Sequence, residues 1–117
     1  MKYKIVDKIW GKEKWICNNE LYCSKILTLN KGYRCSIHYH KNKDETFYIL
    51  DGKVKLELFG KTIIMNKGDS IRLKPNAVHR FTGLTHSKVL EVSTHHEEQD
   101  SHRLKKSGKM ETKNETK

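Results

Sequence analysis

The stretch GYRCSIHYHKNKDETFYILDG, residues 32–52, has His38 and His40 at alternate positions and Glu45 five residues later. Side chains at alternate positions of a β-strand lie on one face of the sheet. Two imidazoles on one face, with a carboxylate from the next segment, are a ligand set typical of a divalent transition metal. A third imidazole is needed, and His79 in the segment KPNAVHRF is the candidate. These residues therefore predict a metal site.

Short apolar segments separated by glycine or polar turns run through residues 21–94 and must position these ligands. Their spacing of roughly 8–12 residues is typical of a β-sandwich or barrel, so we predict an all-β fold. No helical period persists before His95, although EEQDSHRLKK, residues 97–106, could form one short helix. The predicted strands are SKILTLN, RCSIHYH, ETFYIL, VKLELF, KTIIM, DSIRL, AVHRFT and SKVLEVST.

Turn residues separate these segments. Asp51-Gly52 lies between two predicted strands and predicts a hairpin, because glycine adopts positive φ without strain. Lys74-Pro75-Asn76 predicts another turn, and asparagine tolerates the left-handed conformation. We expect residues 1–20 to form N-terminal strands or an arm, residues 21–95 a barrel and residues 96–106 a closing segment. Residues 107–117 are basic and aperiodic, which predicts a disordered tail.

Composition limits the classes of partner. The chain has 117 residues, which suits one domain, and a formal net charge of +10. The basic residues are scattered without a recognition-helix or RNA-binding aromatic pattern, so nucleic acid is not an expected partner. No apolar run approaches about 18 residues, so no membrane-spanning helix is expected. Three cysteines without a C-x-x-C motif, and no signal-peptide pattern, favour a reduced, cytoplasmic location.

Two stretches resemble the two motifs of the cupin superfamily. Residues 32–52 match G-x5-H-x-H-x4-E-x6-G. Residues 68–79 are similar to G-x5-P-x-G-x2-H, with Lys74 and Asn76 in place of the proline and the second glycine. The resemblance implies a cupin barrel (a double-stranded β-helix or jelly roll) with a short C-terminal helix or tail. It also implies one divalent transition metal, whether Zn, Mn, Fe or Ni, bound by four residues: His38, His40, Glu45 and His79.

A narrower resemblance is to the cupin domain of type II phosphomannose isomerases, which interconvert mannose 6-phosphate and fructose 6-phosphate with a divalent metal. It covers about residues 10–108, although the histidine pair and carboxylate are spaced more widely here. It implies a sugar or sugar phosphate, a small anionic carbohydrate, as substrate and aldose–ketose isomerisation as the reaction. The matching residues are Trp10-Gly11, Lys25, His79-Arg80-Phe81, Glu91-Val92 and Asp100-x-x-Arg103.

Two residues are candidates for catalysis. Glu91 in KVLEVST shares a face with Val89 and Ser93. If that face is the barrel interior, burial should raise the pKa of Glu91 and suit it to act as a general base. The alternative is an outward charge on an edge strand. Arg103 matches the family position and follows the last predicted strand, so it could close over the pocket.

Four residues are candidates for substrate contacts. Arg34 is predicted to share the face of His38, and with Lys25 it could hold an anionic group such as phosphate. The alternative for these two cations is a structural ion pair. Phe47 and Phe81 share faces with the predicted ligands and should form walls of the pocket.

The residues leave two other functions open. A set of three histidines and one glutamate also suits an iron-dependent cupin dioxygenase, because ligands alone do not identify the metal. The second alternative is a non-catalytic sugar-binding cupin module. We also expect a homodimer, on the basis of the family resemblance only. The remaining histidines are expected to face solvent: His86, His95, His96 and His102.

Overall fold

The computed structural model describes residues 4–110, and the regular secondary structure of this part of the chain is β-strand apart from one 3-10 turn. The N-terminal strands are β1 (Lys4–Lys8), β2 (Gly11–Asn18), β3 (Cys23–Leu29), β4 (Tyr33–Arg34), β5 (Ile37–His40) and β6 (Glu45–Asp51). They are followed by β7 (Lys53–Leu58), β8 (Lys61–Asn66), β9 (Ser70–Leu73), β10 (His79–Gly83), β11 (Ser87–Ser93), β12 (Ser101–Lys105) and β13 (Gly108–Lys109). The predicted all-β class is confirmed. Within residues 4–110, no helix is long and apolar enough to cross a membrane.

The strands form two antiparallel sheets. The first has the order β1-β2-β3-β11-β6-β9, and the second has the order β12-β5-β10-β4-β13, with β7 paired to β10 and to β8. In the first sheet, Glu91 of β11 lies opposite Lys25 of β3 and Phe47 of β6. In the second, His79 of β10 lies opposite His38 of β5. Paired neighbouring strands therefore carry the predicted metal ligands His38 and His79, and other paired strands carry Lys25, Phe47 and Glu91.

The core lies between the sheets and follows strand alternation. Every second residue of β3 is buried, which turns Cys23, Lys25, Leu27 and Leu29 inward. Burial of the apolar members from both sheets is the main favourable term in folding. At one end of the same inner faces, charged residues and histidines replace apolar ones, and that end carries the candidate site. The apolar core comprises Trp10, Leu27, Leu29, Cys35, Phe47, Ile49, Val54, Leu56, Met65, Leu73, Ala77, Phe81 and Val89.

The strand predicted over RCSIHYH is interrupted at residues 35–36 and forms β4 and β5. Arg34 pairs with Thr82, and His38 pairs with His79. Between these two pairs the segment that contains β4 and β5 has one more residue than β10 has, which is a bulge. A bulge of one residue reverses the faces that the following side chains take. The prediction that Arg34 shares the face of His38 is therefore wrong.

The C-terminal segment differs from its prediction in two places. Only Glu98–Asp100 form a helical turn, of the 3-10 type, and Ser101–Lys105 pair with β5 as β12. Pairing with the edge of β5 satisfies backbone groups that a short helix would leave to water. The predicted tail is wrong for Gly108–Lys109, which pair with β4. Residues 111–117 of that tail lie outside the described residues.

Gly52 is a corner between the sheets. Asp51-Gly52 predicts a hairpin, but β6 and β7 belong to different sheets. The expected positive φ is confirmed, at 88°. A Cβ atom on Gly52 would lie 2.6 Å from the carbonyl oxygen of His86 and closer still to Ser87 Oγ. Only glycine therefore lets the chain cross to the second sheet so close to the start of β11. The turn at Asn76 is also left-handed, with φ of 73°, as predicted.

Comparing the stability of Gly52→Ala with that of Gly68→Ala tests the close approach at Gly52. Both glycines have positive φ, but a Cβ on Gly68 would meet nothing within 4 Å. We expect Gly68→Ala to lower the free energy of unfolding by about 1–2 kcal/mol through backbone strain. Gly52→Ala should cost about 1–3 kcal/mol more, because the backbone of residue 86 cannot move aside. Urea denaturation measures both, and equal losses would contradict the proposed close approach.

Candidate metal centre and its cavity

Three histidines meet at one end of the barrel interior. His38 and His40 come from β5, and His79 is the first residue of β10, directly opposite His38. One ligand nitrogen from each ring lies within 4.8 Å of the others. Alternate residues of β5 share a face and β10 is its neighbour, so strand pairing brings the rings together.

Backbone carbonyl groups orient the three rings. A carbonyl oxygen only accepts hydrogen bonds, so each ring nitrogen bonded to one carries the proton. In all three rings that nitrogen is Nδ1, which leaves the lone pair of Nε2 for a ligand bond. The pairs are His38 with Ser36 O at 2.9 Å, His40 with Asp100 O at 3.1 Å, and His79 with Ala77 O at 2.8 Å.

The state of these imidazoles fits a metal ion. His79 Nε2 is buried and has no hydrogen-bond partner among the described residues. Burial lowers the pKa of His40 and of His79 to about 4. Burial, and next the neighbouring His79 ring, lower the pKa of His38 well below its ordinary value. Neutral rings with free lone pairs are the form that binds metals. His38, His40 and His79 would therefore hold a divalent transition metal.

Glu45, the fourth predicted ligand, lies beside this cluster. Its Oε2 atom is 3.5 Å from His79 Nε2 and 3.6 Å from His40 Nε2. Its Oε1 atom is 3.3 Å from Lys43 Nζ. Burial, and next the charge of Glu91, raise the pKa of Glu45 to about 8. The carboxylate thus contacts two of the three histidines and shares a cation with a second carboxylate.

Lys43 is a site residue that sequence reasoning missed. It comes from the loop between β5 and β6, is only 3% exposed, and its Nζ lies 2.6 Å from Glu91 Oε2. Burial works against the charged ammonium, but Glu91 and then Glu45 outweigh it and raise the pKa of Lys43. A lysine in a polar loop has no periodic pattern that would place it inside, so the sequence offered no signal.

Glu91 faces the interior, and the alternative of an outward charge is wrong, since it is 4% exposed and lines the cavity. The expected rise of its pKa is also wrong. Burial alone would raise the pKa of Glu91, but Lys43 and then Lys25 outweigh burial and hold it below the ordinary value. The error follows from the unforeseen counter-ion Lys43.

His96 is the second missed residue. It was predicted to face solvent but is 8% exposed and lines the cavity. Asn18 fixes its loop by accepting from His96 N at 3.0 Å and donating to His96 O at 3.1 Å. Lys43 Nζ donates to His96 Nδ1 at 2.9 Å, so the proton of His96 is on Nε2, opposite to the three clustered rings. Of the other three, His86 is exposed, and His95 and His102 are half-buried.

A cavity of about 110 Å³ opens beside the histidines. The described residues that line it do not include Arg34, whose face is reversed by the bulge. Ligand pockets commonly exceed about 300 Å³, so an enclosed occupant must be small or must extend outward. The predicted residues that do line the cavity are His38, His40, Glu45, Lys25, Phe47, Phe81, Glu91 and Arg103.

Two cations that line the cavity, the predicted substrate contact Lys25 and the predicted catalytic residue Arg103, already have partners. Lys25 Nζ is 3.7 Å from Glu13 Oε1 and 4.0 Å from the centre of the Trp15 ring. Arg103 Nη2 donates to Glu98 Oε1 at 2.8 Å. A bound anion would therefore compete with carboxylates for both cations.

The cupin domain family model matches residues 25–99 of the chain. The chain is 39% identical to quercetin 2,3-dioxygenase of Bacillus subtilis (strain 168) over 51 residues. This match covers 44% of the chain and 15% of that protein. The chain is 26% identical to mannose-1-phosphate guanylyltransferase 2 of Escherichia coli O157:H7 over 96 residues. This match covers 80% of the chain and 20% of that protein. The chain therefore spans a small part of the length of both relatives.

Among solved structures, the nucleoside dehydratase Pac13 is similar at 14% identity with a TM-score of 0.77. The match covers 93% of this chain and 88% of Pac13. At this identity the likeness shows the fold alone. Together with the family match, it confirms the predicted cupin barrel.

The three-histidine centre predicts the effect of removing one ring. We expect the wild type to bind one divalent ion per chain, measured by metal analysis and by titration with Co²⁺. His40→Ala should lower the affinity by more than about 100-fold, beyond the usual loss from a supporting residue. His86→Ala, which removes an exposed histidine, is the matched control and should bind as the wild type does. Equal affinities for the two variants would contradict the assignment.

Burial of His79 predicts a pH dependence in the metal-free protein. Its pKa is about 4 in the folded state against an ordinary value of 6.5. Between these values the unfolded chain binds a proton that the folded chain does not, so stability falls as pH falls from 6.5 towards 4. The loss is at most about 1.4 kcal/mol per pH unit. Urea unfolding with chelator should show the stability advantage of wild type over His79→Gln shrinking across this window. An advantage that grew at lower pH would contradict it.

Proposed function

The chain belongs to the cupin domain family, and on that premise we propose that it is a metal-dependent isomerase of a sugar or sugar phosphate. The observation that carries the proposal is the set of three neutral histidines beside an ionised, buried Glu91. This combination would offer a place for a metal and a proton acceptor at one end of the barrel.

His38, His40 and His79 would hold the ion, with Glu45 beside two of them. A divalent ion bound there would act as a Lewis acid towards substrate oxygen atoms and stabilise the negative charge that develops on them. The chain's own contribution is to keep the three rings neutral and to fix their tautomer through backbone carbonyls.

Glu91 is the candidate base. Aldose–ketose isomerisation takes a proton from the carbon beside the carbonyl group and returns it one carbon away, so it needs no oxidant. Glu91 lines the cavity, and Lys43 and Lys25 keep it ionised at neutral pH, ready to accept that proton. The protonated Glu91 then returns the proton to the neighbouring carbon, while the hydroxyl proton moves between the two oxygens.

The cations near the cavity support an anionic substrate. Lys25 and Arg103 line the cavity, and Arg103 is exposed, so a phosphate extending from the small enclosed space could reach it. A phosphate would have to displace Glu98 from Arg103. The name of the relative mannose-1-phosphate guanylyltransferase points to the same class of ligand. These features support a small anionic carbohydrate as the substrate class.

A dioxygenase is the second candidate, favoured by the 39% identity to quercetin 2,3-dioxygenase over 51 residues. The cavity lining also includes apolar side chains that an aromatic ligand would contact, among them Leu27, Phe47 and Phe81. Its volume of about 110 Å³ argues against a large flavonoid-type ligand held wholly inside the cavity. A non-catalytic sugar-binding module is the remaining alternative, and it would bind sugar without proton exchange.

Proton exchange in D₂O tests the proposal. Metal-loaded protein should introduce deuterium at C2 of mannose 6-phosphate or a related aldose phosphate, detected by proton NMR. Glu91→Gln should slow exchange by about 10²–10⁴-fold, the usual contribution of a general base, without changing the metal content. Glu57→Gln, at a half-buried glutamate outside the cavity lining, is the matched control and should exchange normally.

Absence of exchange with every sugar and sugar phosphate, despite one bound metal per chain, contradicts the isomerase. Oxygen uptake by the iron-loaded protein would then favour the dioxygenase. Sugar binding with neither reaction would favour the binding module.

A further inference from the structure

Lys43 occupies an unusual place for a lysine. Its ammonium group lies inside the barrel end with three polar partners, at 2.6 Å from Glu91 Oε2, 2.9 Å from His96 Nδ1 and 3.3 Å from Glu45 Oε1. Lysine is almost never buried unless it is paired. These three contacts use the three N–H bonds that an ammonium group can donate. The side chain is therefore held in a single orientation.

The loop that carries Lys43 is itself held by one carboxylate. Asp100, in the 3-10 turn, is buried and accepts from the backbone N–H groups of Lys41 at 2.9 Å, Asn42 at 3.1 Å and Lys43 at 3.1 Å. The carbonyl oxygen of the same residue accepts from His40 Nδ1. A carboxylate that accepts several backbone N–H groups makes strong, charge-assisted bonds. Asp100 thus fixes both a clustered histidine and the loop that follows it.

The contacts of Glu91 show what Lys43 does there. Besides Lys43, the Glu91 carboxylate has a long contact from Ser93 Oγ at 3.4 Å. The ammonium also lies 3.3 Å from Glu45 Oε1, so one cation contacts both buried acidic side chains. Loss of Lys43 would free the Glu91 side chain to change rotamer or take up a proton.

We propose that Lys43 is a positioning residue for the Glu91 base and that Asp100 holds Lys43 in place. This inference rests on the proposed function, in which Glu91 accepts the substrate proton. Lys43 acts through Glu91 and needs no contact with substrate. Asp100 acts one step further away, through the backbone of residues 41–43.

The kinetics of Lys43→Ala test whether Lys43 positions Glu91. Lys41→Ala is the matched control, because Lys41 is on the same loop but its side chain is exposed. A base displaced by about 1 Å can cost about 100-fold in rate. We therefore expect Lys43→Ala to lower kcat for C2 exchange by about 100-fold with little change in KM. The Co²⁺ affinity should stay that of the wild type. Ethylammonium added to Lys43→Ala should restore part of kcat, because it can occupy the space of the missing ammonium.

The NMR signal of the Lys43 ammonium group tests whether Asp100 holds Lys43 in place, and this measurement does not depend on enzyme activity. A buried ammonium group with three partners exchanges its protons slowly, so proton–nitrogen NMR should resolve a signal that is absent from Lys43→Ala. Asp100→Asn should lose or broaden that signal and reproduce the fall in kcat. Asp100→Asn rather than Asp100→Ala is the main variant, because it keeps the side-chain volume and so favours folding.

The outcomes separate this inference from the proposed function. Full kcat in Lys43→Ala, or a loss that ethylammonium does not restore, overturns the role of Lys43 and leaves the isomerase standing. An unchanged Lys43 signal in Asp100→Asn overturns the role of Asp100. An inactive wild type contradicts the proposed function. In that case, loss of the Lys43 signal in Asp100→Asn still supports the structural link from Asp100 to Lys43.

Discussion

In each of the three clustered histidines, Nδ1–H donates to a backbone carbonyl, and the remainder of the site depends on those bonds. The carbonyls belong to places where the chain leaves regular strand: the bulge at residues 35–36, the turn at residues 74–78 and the 3-10 turn Glu98–Asp100. A regular antiparallel ladder would use such carbonyls for its own pairing. Irregular backbone at the barrel end therefore determines which nitrogen of each ring is free to bind a metal.

The charges at this end of the barrel are costly for folding. Taking a charged side chain out of water costs several kcal/mol, and the attraction to a buried partner offsets this only where the geometry is good. Lys43 lies 2.6 Å from Glu91 and 3.3 Å from Glu45, so one buried cation is the partner of two buried acidic side chains. The other inner positions of the sheets are largely apolar. A polar cluster confined to the end with the three histidines is consistent with retention for binding or chemistry rather than for stability.

The sequence predicted those parts of the structure that strand alternation controls. His38 and His40 share a face because they are two residues apart on β5, and the turn before β10 presents His79 opposite them. The sequence places Arg34 on the same face of the sheet as His38, but one extra residue in a bulge reverses the faces of the side chains. No residue type at that position indicates the bulge. Lys43 and His96 lie in loops, where no period links sequence position to burial, and long-range contacts to Asp100 and Asn18 place them. The segment 97–106, which could have formed one short helix, has one 3-10 turn and then pairs with β5, because β5 offers an edge for strand pairing.

Anomalous X-ray diffraction at the absorption edge of zinc, on crystals of the protein loaded with one equivalent of Zn²⁺, would show directly whether His38, His40 and His79 bind the ion through Nε2. We expect a single strong peak about 2.0–2.1 Å from the Nε2 atoms of His38, His40 and His79. A peak bound through Nδ1 of these rings, or one found only at the more exposed histidines His86, His95 or His102, would contradict this prediction.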